Sequence, residues 1–554
     1  MPAFAFPRPD LAWLAWVGLV PALLVVRAAP DRPAAGWRAW WVGLGFLTTV
    51  AYWLAPSLLY AGLALAAGAL ALLWVPWGWF VRATLGRPLS LARGSAALVL
   101  VPTGWVAQEA VRSWDRLGGP WALLGVTQWH HPVELGLASV GGAWLVSAAI
   151  VAANVGVVLL LDAGWVAVGR RRAASPTVAS AAGGLGVLGA AGLVVSVLAG
   201  PLVYAATPPA RVPSGSASTV RVALVQPGAL PPGPGTLRRE VTLTAGLATQ
   251  HPGLVVWGES SIGDDVAHHA SQLAVVRGLA SRVGADLLIN DDGRAPSGRI
   301  EKTSLLVGPG GVLASYVKNR LVPFGEYVPF PQLFGWLRDF TRAAPRNVVA
   351  GHGLVVMHAG ALRIGPLICF ESAFPDMART LADQGVELIT YQTSDSTWPG
   401  TWVQAQHASM AAVRAAEVGR PAVQSALTGD SVVADSRGRL LGWAGQSTSG
   451  VLLVDVPLAG WTTVYDRIGD VVPVGAVVLT LVAVAGLVVT RRRDHGSPAA
   501  PARRPRSGRG PGRVVPGGGR RAPLGWSAAG SPDPAELPRP PGGPMPAKRS
   551  RPDP

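Results

Sequence analysis

Leu362-Arg-Ile-Gly-Pro-Leu-Ile-Cys-Phe-Glu371 is an apolar run that ends on the only cysteine of the 554-residue chain. A strand that carries a lone thiol into a turn beside a carboxylate is one way for a fold to present a nucleophile. The commonest role of a single cysteine is different, a small buried hydrophobe. Cys369 therefore needs company before it means chemistry, and two other places supply it.

The first is Lys318, in Ser315-Tyr-Val-Lys-Asn-Arg-Leu-Val-Pro-Phe-Gly-Glu-Tyr-Val-Pro329. The chain uses Arg almost everywhere and holds only three lysines, Lys302, Lys318 and Lys548. An ammonium is a compact charge that fits beside one oxygen atom, whereas a guanidinium is a broad fork. The second is Glu259, directly after the strand-like run Leu254-Val-Val-Trp257. Where Arg is the default, an incidental surface lysine is the lesser reading of Lys318, whereas Glu259 alone reads better as a solvated loop-end acid.

Half of the residues are hydrophobic and only 14% are charged, so much of the chain sits in something other than water. The net charge of +16 does not point to nucleic acid, because from Arg491 onward fourteen Lys/Arg stand against four Asp/Glu. One cysteine permits no internal disulfide, and no cleavable signal peptide is evident.

Six apolar stretches fill the first two hundred residues: 11–26, 37–59, 61–81, 94–111, 133–161 and 177–205. A seventh covers 471–490. Each approaches or exceeds the ~20 residues that cross a bilayer core, with Trp37, Trp40, Trp41, Trp77 and Trp79 near segment ends as in an interfacial belt. Arginines gather after segments one (Arg27, Arg32, Arg38), three (Arg82, Arg87, Arg93), five (Arg170–Arg172) and seven (Arg491–Arg493). Those places are expected to be cytoplasmic, and residues 112–134 and 207–470 outside. This leaves the N-terminus outside, so the expectation is a start upstream of Met1 or a lost initial helix.

Residues 207–470 alternate short β-rich runs (220–226, 254–257, 286–290, 304–307, 362–368, 387–391, 451–456) with helical stretches (237–250, 267–283, 374–384, 402–418), which predicts an α/β domain with a covered sheet. Residues beyond 493 are rich in Pro, Gly, Arg and Ser and are expected to form a disordered tail. The expected organisation is helices over 1–206, a catalytic domain over 207–465, a last helix over 466–493 and a cytoplasmic tail over 494–554.

Glu259, Lys318 and Cys369 supply the three parts of an acyl-transfer site: a base for the thiol, a cation for the oxyanion and a nucleophile. No metal or cofactor is needed. His130-His131 and His268-His269 are adjacent pairs without ligand spacing.

Here the chain resembles a known family. Residues 220–456 are similar to a nitrilase-superfamily (carbon-nitrogen hydrolase) domain, an α-β-β-α sandwich with a Glu-Lys-Cys triad. With its helices, the chain resembles the bacterial apolipoprotein N-acyltransferases. The resemblance rests on Lys318-Asn-Arg-Leu-Val-Pro-Phe-Gly-Glu326, Ile368-Cys-Phe-Glu371, Thr393-Ser-Asp-Ser-Thr-Trp-Pro-Gly400, His407, Arg414-Ala-Ala-Glu-Val-Gly-Arg-Pro421, and Gly118-Gly-Pro-Trp-Ala-Leu-Leu-Gly-Val-Thr-Gln128. It implies Glu259 as base, Lys318 as oxyanion stabiliser and Cys369 as nucleophile, with Glu326 and Glu371 positioning the lysine and lining the pocket. Phe370 stands where the family often has tyrosine, and Gly258 where it usually has proline. The implied partners are a phospholipid acyl donor, a diacylglyceryl-modified apolipoprotein acceptor and membrane lipids, with no nucleic acid. The implied protein is a monomer of the bacterial inner membrane. The readings left beside it are a membrane-tethered amidase of the same superfamily and a catalytically silent membrane scaffold.

Overall fold

The computed structural model describes residues 2–169, 176–208, 210–212, 215, 217–228, 234–263, 265–266, 269–335 and 348–496. His268 and the basic tail beyond residue 496 lie outside these.

The first half is helical: Trp13–Val17, Val20–Arg27, Arg32–Val50, Ala55–Ala71, Trp74–Leu85, Leu91–Arg112, Ala138–Gly169 and Pro176–Ala206. Two of the expected spans are bent. Arg32–Val50 meets the next helix at 65°, and a second break of 46° separates Tyr60–Ala71 from Trp74–Leu85. A proline explains each bend: the rings of Pro56 and Pro76 exclude the helical position of the carbonyl four residues earlier, Tyr52 and Leu72. By length and composition, three helices among the described residues can cross a membrane (Glu134–Trp165, Ala182–Ala206 and Val471–Val489), or up to five if each bent pair is one span. Leu91–Arg112 is a full helix, but Arg93, Pro102, Thr103 and Gln108 dilute its apolar run. Of the expected belt, Trp37 and Trp41 are exposed whereas Trp77 is fully buried, edge-on to Trp105 at 5.6 Å.

One end of the bundle is basic and closed by ion pairs. Asp162 accepts from Arg27 at 2.7 Å and from Arg87 at 2.8 Å, which gathers two of the arginine-bearing connections beside the end of Ala138–Gly169. The other end carries residues 114–137 and meets the α/β part.

Among the described residues that part holds twelve strands: β1 (Thr219–Gln226), β2 (Leu254–Val256), β3 (Asp286–Arg294), β4 (Ile300–Gly308), β5 (Gly311–Val317), β6 (Met357–Ala359), β7 (Leu362–Ile368), β8 (Leu388–Thr393), β9 (Ala422–Ala426), β10 (Ser431–Ala434), β11 (Leu440–Ala444) and β12 (Gly450–Pro457). They form two six-stranded sheets, ordered β12-β1-β2-β3-β4-β5 and β11-β10-β9-β8-β7-β6. Alternation along a strand sorts the faces. Val222, Leu224 and Val256 pack with Ile364, Ile368, Ile389 and Val423 between the sheets. Ala223, Val225 and Val255 turn outward against Val276, Leu279 and Ala280 of helix Ala270–Val283. This is a four-layer helix-sheet-sheet-helix sandwich. β5, β6, β9, β10 and β11 were not among the expected runs. Four of these, β6, β9, β10 and β11, are five residues or fewer, too short to show a period.

Helix Val403–Val418 joins the two halves. All sixteen of its residues are buried, as for a helix enclosed on every side. Ala408, Ala411 and Ala415 face the sheets, while Val413 and Ala416 belong to the core of the membrane helices. Its Glu417 accepts from the backbone N–H of Ala143 at 2.8 Å. That N–H is freed because the long helix breaks at Gly141 and Gly142, the latter at φ 67°.

Candidate active site

β7 delivers Cys369 into a short turn, Cys369–Ala373, with the cysteine itself at φ 55°. A left-handed φ is strained for a residue with a side chain, and several bonds hold it. Glu371 Oε2 accepts from Ile368 N at 2.7 Å, one residue before the thiol. His407 Nε2 donates to the Cys369 carbonyl at 3.0 Å, and Nδ1 faces Asp395 Oδ1 at 2.9 Å. Burial works against charge on His407, but the Asp395 carboxylate outweighs it and lifts His407 above the usual imidazole range. The His407 ring thus clamps the turn between Asp395 and the Cys369 carbonyl.

Lys318 follows β5 and is fully buried. Its Nζ donates to Glu326 Oε1 at 2.8 Å and to Glu259 Oε1 at 3.0 Å. Glu259 follows β2, its N–H donating to Thr393 O at 3.2 Å across to the other sheet. The Cys369 thiol lies beside the Glu259 carboxylate and helps to lower it. The structure thus brings Glu259, Lys318, Cys369 and Glu326 into one cluster from both sheets. Glu371 plays another part than expected: it does not take the ammonium but accepts from Tyr316 OH (2.8 Å), Asn319 N (2.7 Å) and Arg320 N (3.0 Å). It ties the lysine's loop to the cysteine's turn through backbone. Phe370 packs edge-on against Phe374 at 5.0 Å, and Gly119 lies against both rings. A ring without a hydroxyl suits that apolar seat.

Desolvation raises Glu259, yet the ammoniums of Lys302 and Lys318 overcome it and hold the carboxyl down to about 2. Burial and the neighbouring Glu259 charge push the Cys369 thiol well above its ordinary value, against Lys318. Lys318 is raised, because Glu259 and Glu326 outweigh its burial. The resting site is a thiol beside a carboxylate and an ammonium.

Aromatic groups from the membrane half reach this cluster. Trp121 stands edge-on to His407 at 5.5 Å and donates to Gln406 at 3.0 Å. Trp53 lies 5.5 Å from Trp121 and 4.9 Å from Trp398, and Trp398 donates to Ser57 at 3.1 Å. Sequence reasoning did not find Trp53, Ser260, Asp292 or the site position of Lys302. Lysine scarcity was the one signal that pointed to Lys302.

Residues 1–156 match the apolipoprotein N-acyltransferase N-terminal domain, and residues 221–466 match the carbon-nitrogen hydrolase family. The apolipoprotein N-acyltransferase of Azotobacter vinelandii is 30% identical over 528 residues, covering 89% of this chain and 93% of that protein. The chain belongs to the apolipoprotein N-acyltransferases. A relative of the same name from Geobacter metallireducens is 29% identical over 89% of this chain and 94% of its own length. Among solved structures, an amidase from Nesterenkonia sp. is 23% identical with a TM-score of 0.34, over 46% of this chain and 94% of that one.

Proposed function

We propose that Cys369 takes a fatty acyl group from a membrane phospholipid as a thioester and passes it to the α-amine of S-diacylglyceryl-cysteine at the start of an apolipoprotein. The observation that carries this reading is the buried Glu259–Lys318–Cys369 cluster, with Trp121 of the membrane half packed against His407, which holds the Cys369 carbonyl. Two lipid substrates require a site that opens at the membrane plane, and a thioester requires exclusion of water.

In the first half-reaction sulfur attacks the ester carbonyl. Its proton passes to Glu259 as the C–S bond forms, because the low carboxyl and high thiol leave the proton on sulfur at rest. Negative charge moves to the carbonyl oxygen beside the Lys318 ammonium. Collapse breaks the C–O bond, and the lysophospholipid alkoxide takes the proton from Glu259. In the second, the α-amine attacks the thioester, Glu259 accepts its proton, and the departing sulfur recovers that proton. The order is ping-pong.

The basic end of the bundle, with Arg27 and Arg87, faces the cytoplasm in this reading, and the α/β domain lies on the opposite side, by the excess of arginine. Domains over 1–206, 207–465 and 466–493, a cytoplasmic tail over 494–554 and action as a monomer complete it. The test is intact-mass measurement of the purified full-length chain after exposure to phospholipid vesicles. The expected result is one added acyl mass on the Cys369 peptide, discharged by a diacylglyceryl-cysteine peptide. Turnover of small amides with no lipid-derived adduct would instead support the amidase reading.

A further inference from the structure

The triad chemistry leaves a buried lysine unused. Lys302, on β4, is the cross-strand neighbour of the catalytic lysine: Lys318 N donates to Lys302 O at 2.9 Å. Its side chain is only 6% exposed. Nζ lies 2.7 Å from Ser260 Oγ, 3.0 Å from Asp292 Oδ1 and 3.4 Å from Glu259 Oε1. An ammonium has three N–H groups, and these three oxygens account for them. Ser260 Oγ in turn donates to Asp292 Oδ1 at 2.9 Å, and Ser260 N donates to Asn290 Oδ1 at 2.8 Å, so the anchor is itself fixed.

We propose that Lys302 is a positioning residue for the base: its ammonium, anchored by Ser260 and Asp292, holds Glu259 ionised and oriented toward Cys369, and so frees Lys318 for the oxyanion. The inference rests on Glu259 being the base. Both ammoniums address the same oxygen, Oε1, which leaves Oε2 to receive the thiol proton. With Glu259 and Glu326 as the acceptors of Lys318 among the described residues, one N–H of that lysine remains for a developing oxyanion. Without Lys302, the Lys318 ammonium alone would neutralise two buried carboxylates, and its field at the oxyanion would be spent on them. Lys302 also heads the charges that depress Glu259, ahead of Lys318. The competing explanation is local: Lys302 merely neutralises Asp292, whose side chain is 25% exposed.

The test uses the full-length protein in phospholipid vesicles and follows the rate of Cys369 acylation between pH 5 and 9 for Lys302→Met, for Lys302→Met with Asp292→Asn, and for Glu259→Gln. The double variant removes the stranded Asp292 charge and so keeps the site's net charge unchanged where the single variant fails to fold. The expected result is a roughly ten- to hundredfold slower acylation in both Lys302 variants, within the range of general-base effects. It includes an acid limb that enters the measured range because Glu259 has lost one of the two ammoniums that stabilise its charge. A double variant with the wild-type rate and a flat acid side would overturn the proposal in favour of the local role. Glu259→Gln is expected to be inactive. If it acylates normally the base assignment itself fails, whereas a dead Glu259→Gln beside a wild-type-like double variant sinks only the role of Lys302.

Discussion

At the scale of the residue, the site depends on one strained turn and on charges that oppose each other in a dry space. A Cys369 pushed upward by burial and by Glu259 is protonated below its raised value, so its thiolate fraction climbs with pH. Alkylation by iodoacetamide is therefore expected to be slow at pH 7 and to rise about tenfold per pH unit up to pH 9, read directly because no other cysteine competes. A plateau below pH 8 would contradict the raised thiol. Cys369→Ser is expected to give no acyl-enzyme by mass, since a hydroxyl is far less acidic than a thiol. Lys318→Arg keeps the charge but replaces a point donor by a fork between Glu259 and Glu326, which sit 3.0 and 2.8 Å from Nζ. It is expected to lower acylation at least a hundredfold, and near-normal turnover would remove Lys318 from the oxyanion role.

Among the elements, the site is made where the ends of β2, β5, β7 and β8 meet from two sheets. Thr393 O accepts from Glu259 N at 3.2 Å and from Leu427 N at 2.8 Å, and Ser425 Oγ donates to Val256 O at 2.9 Å. Gly258 is the point of closest approach: a Cβ there would lie 2.0 Å from Leu427 N. The absence of a side chain at the residue before the base is thus a packing requirement in this chain. Gly258→Ala is expected to lower stability by about 3 kcal/mol or more, as overpacking against backbone does. Thermal unfolding in detergent checks it, and an unchanged Tm would show that the sheets separate easily there. The buried Arg414–Glu417 pair, at 3.0 Å, couples helix Val403–Val418 to the break at Gly141–Gly142.

On the scale of the whole molecule, the α/β half rests on the helices through a fully buried helix and the loop after Leu91–Arg112, and that helix packs into the core of each half. The basic segment from Arg491 onward carries about +10 of the net +16 charge. Truncation after Arg493 is expected to leave acyl transfer within about twofold of the full chain, measured in the same vesicles, because the site is complete without it. A large loss would assign the tail a role in catalysis or insertion.

Sequence alone fixed the class of each half. Long apolar runs announce helices because a bilayer demands them, and alternating strands and helices announce a covered sheet. A lone cysteine with a scarce lysine and a strand-end glutamate named the chemistry, because thiol activation and an oxyanion need those groups. Only the tertiary structure decided that Glu371 clamps loops and leaves the ammonium to others, that Lys302 sits beside Glu259, and that Trp121 packs on His407. These depend on distances between residues far apart in the chain. Such distances are set by how two sheets and a helix bundle pack, and no local pattern of residues encodes them.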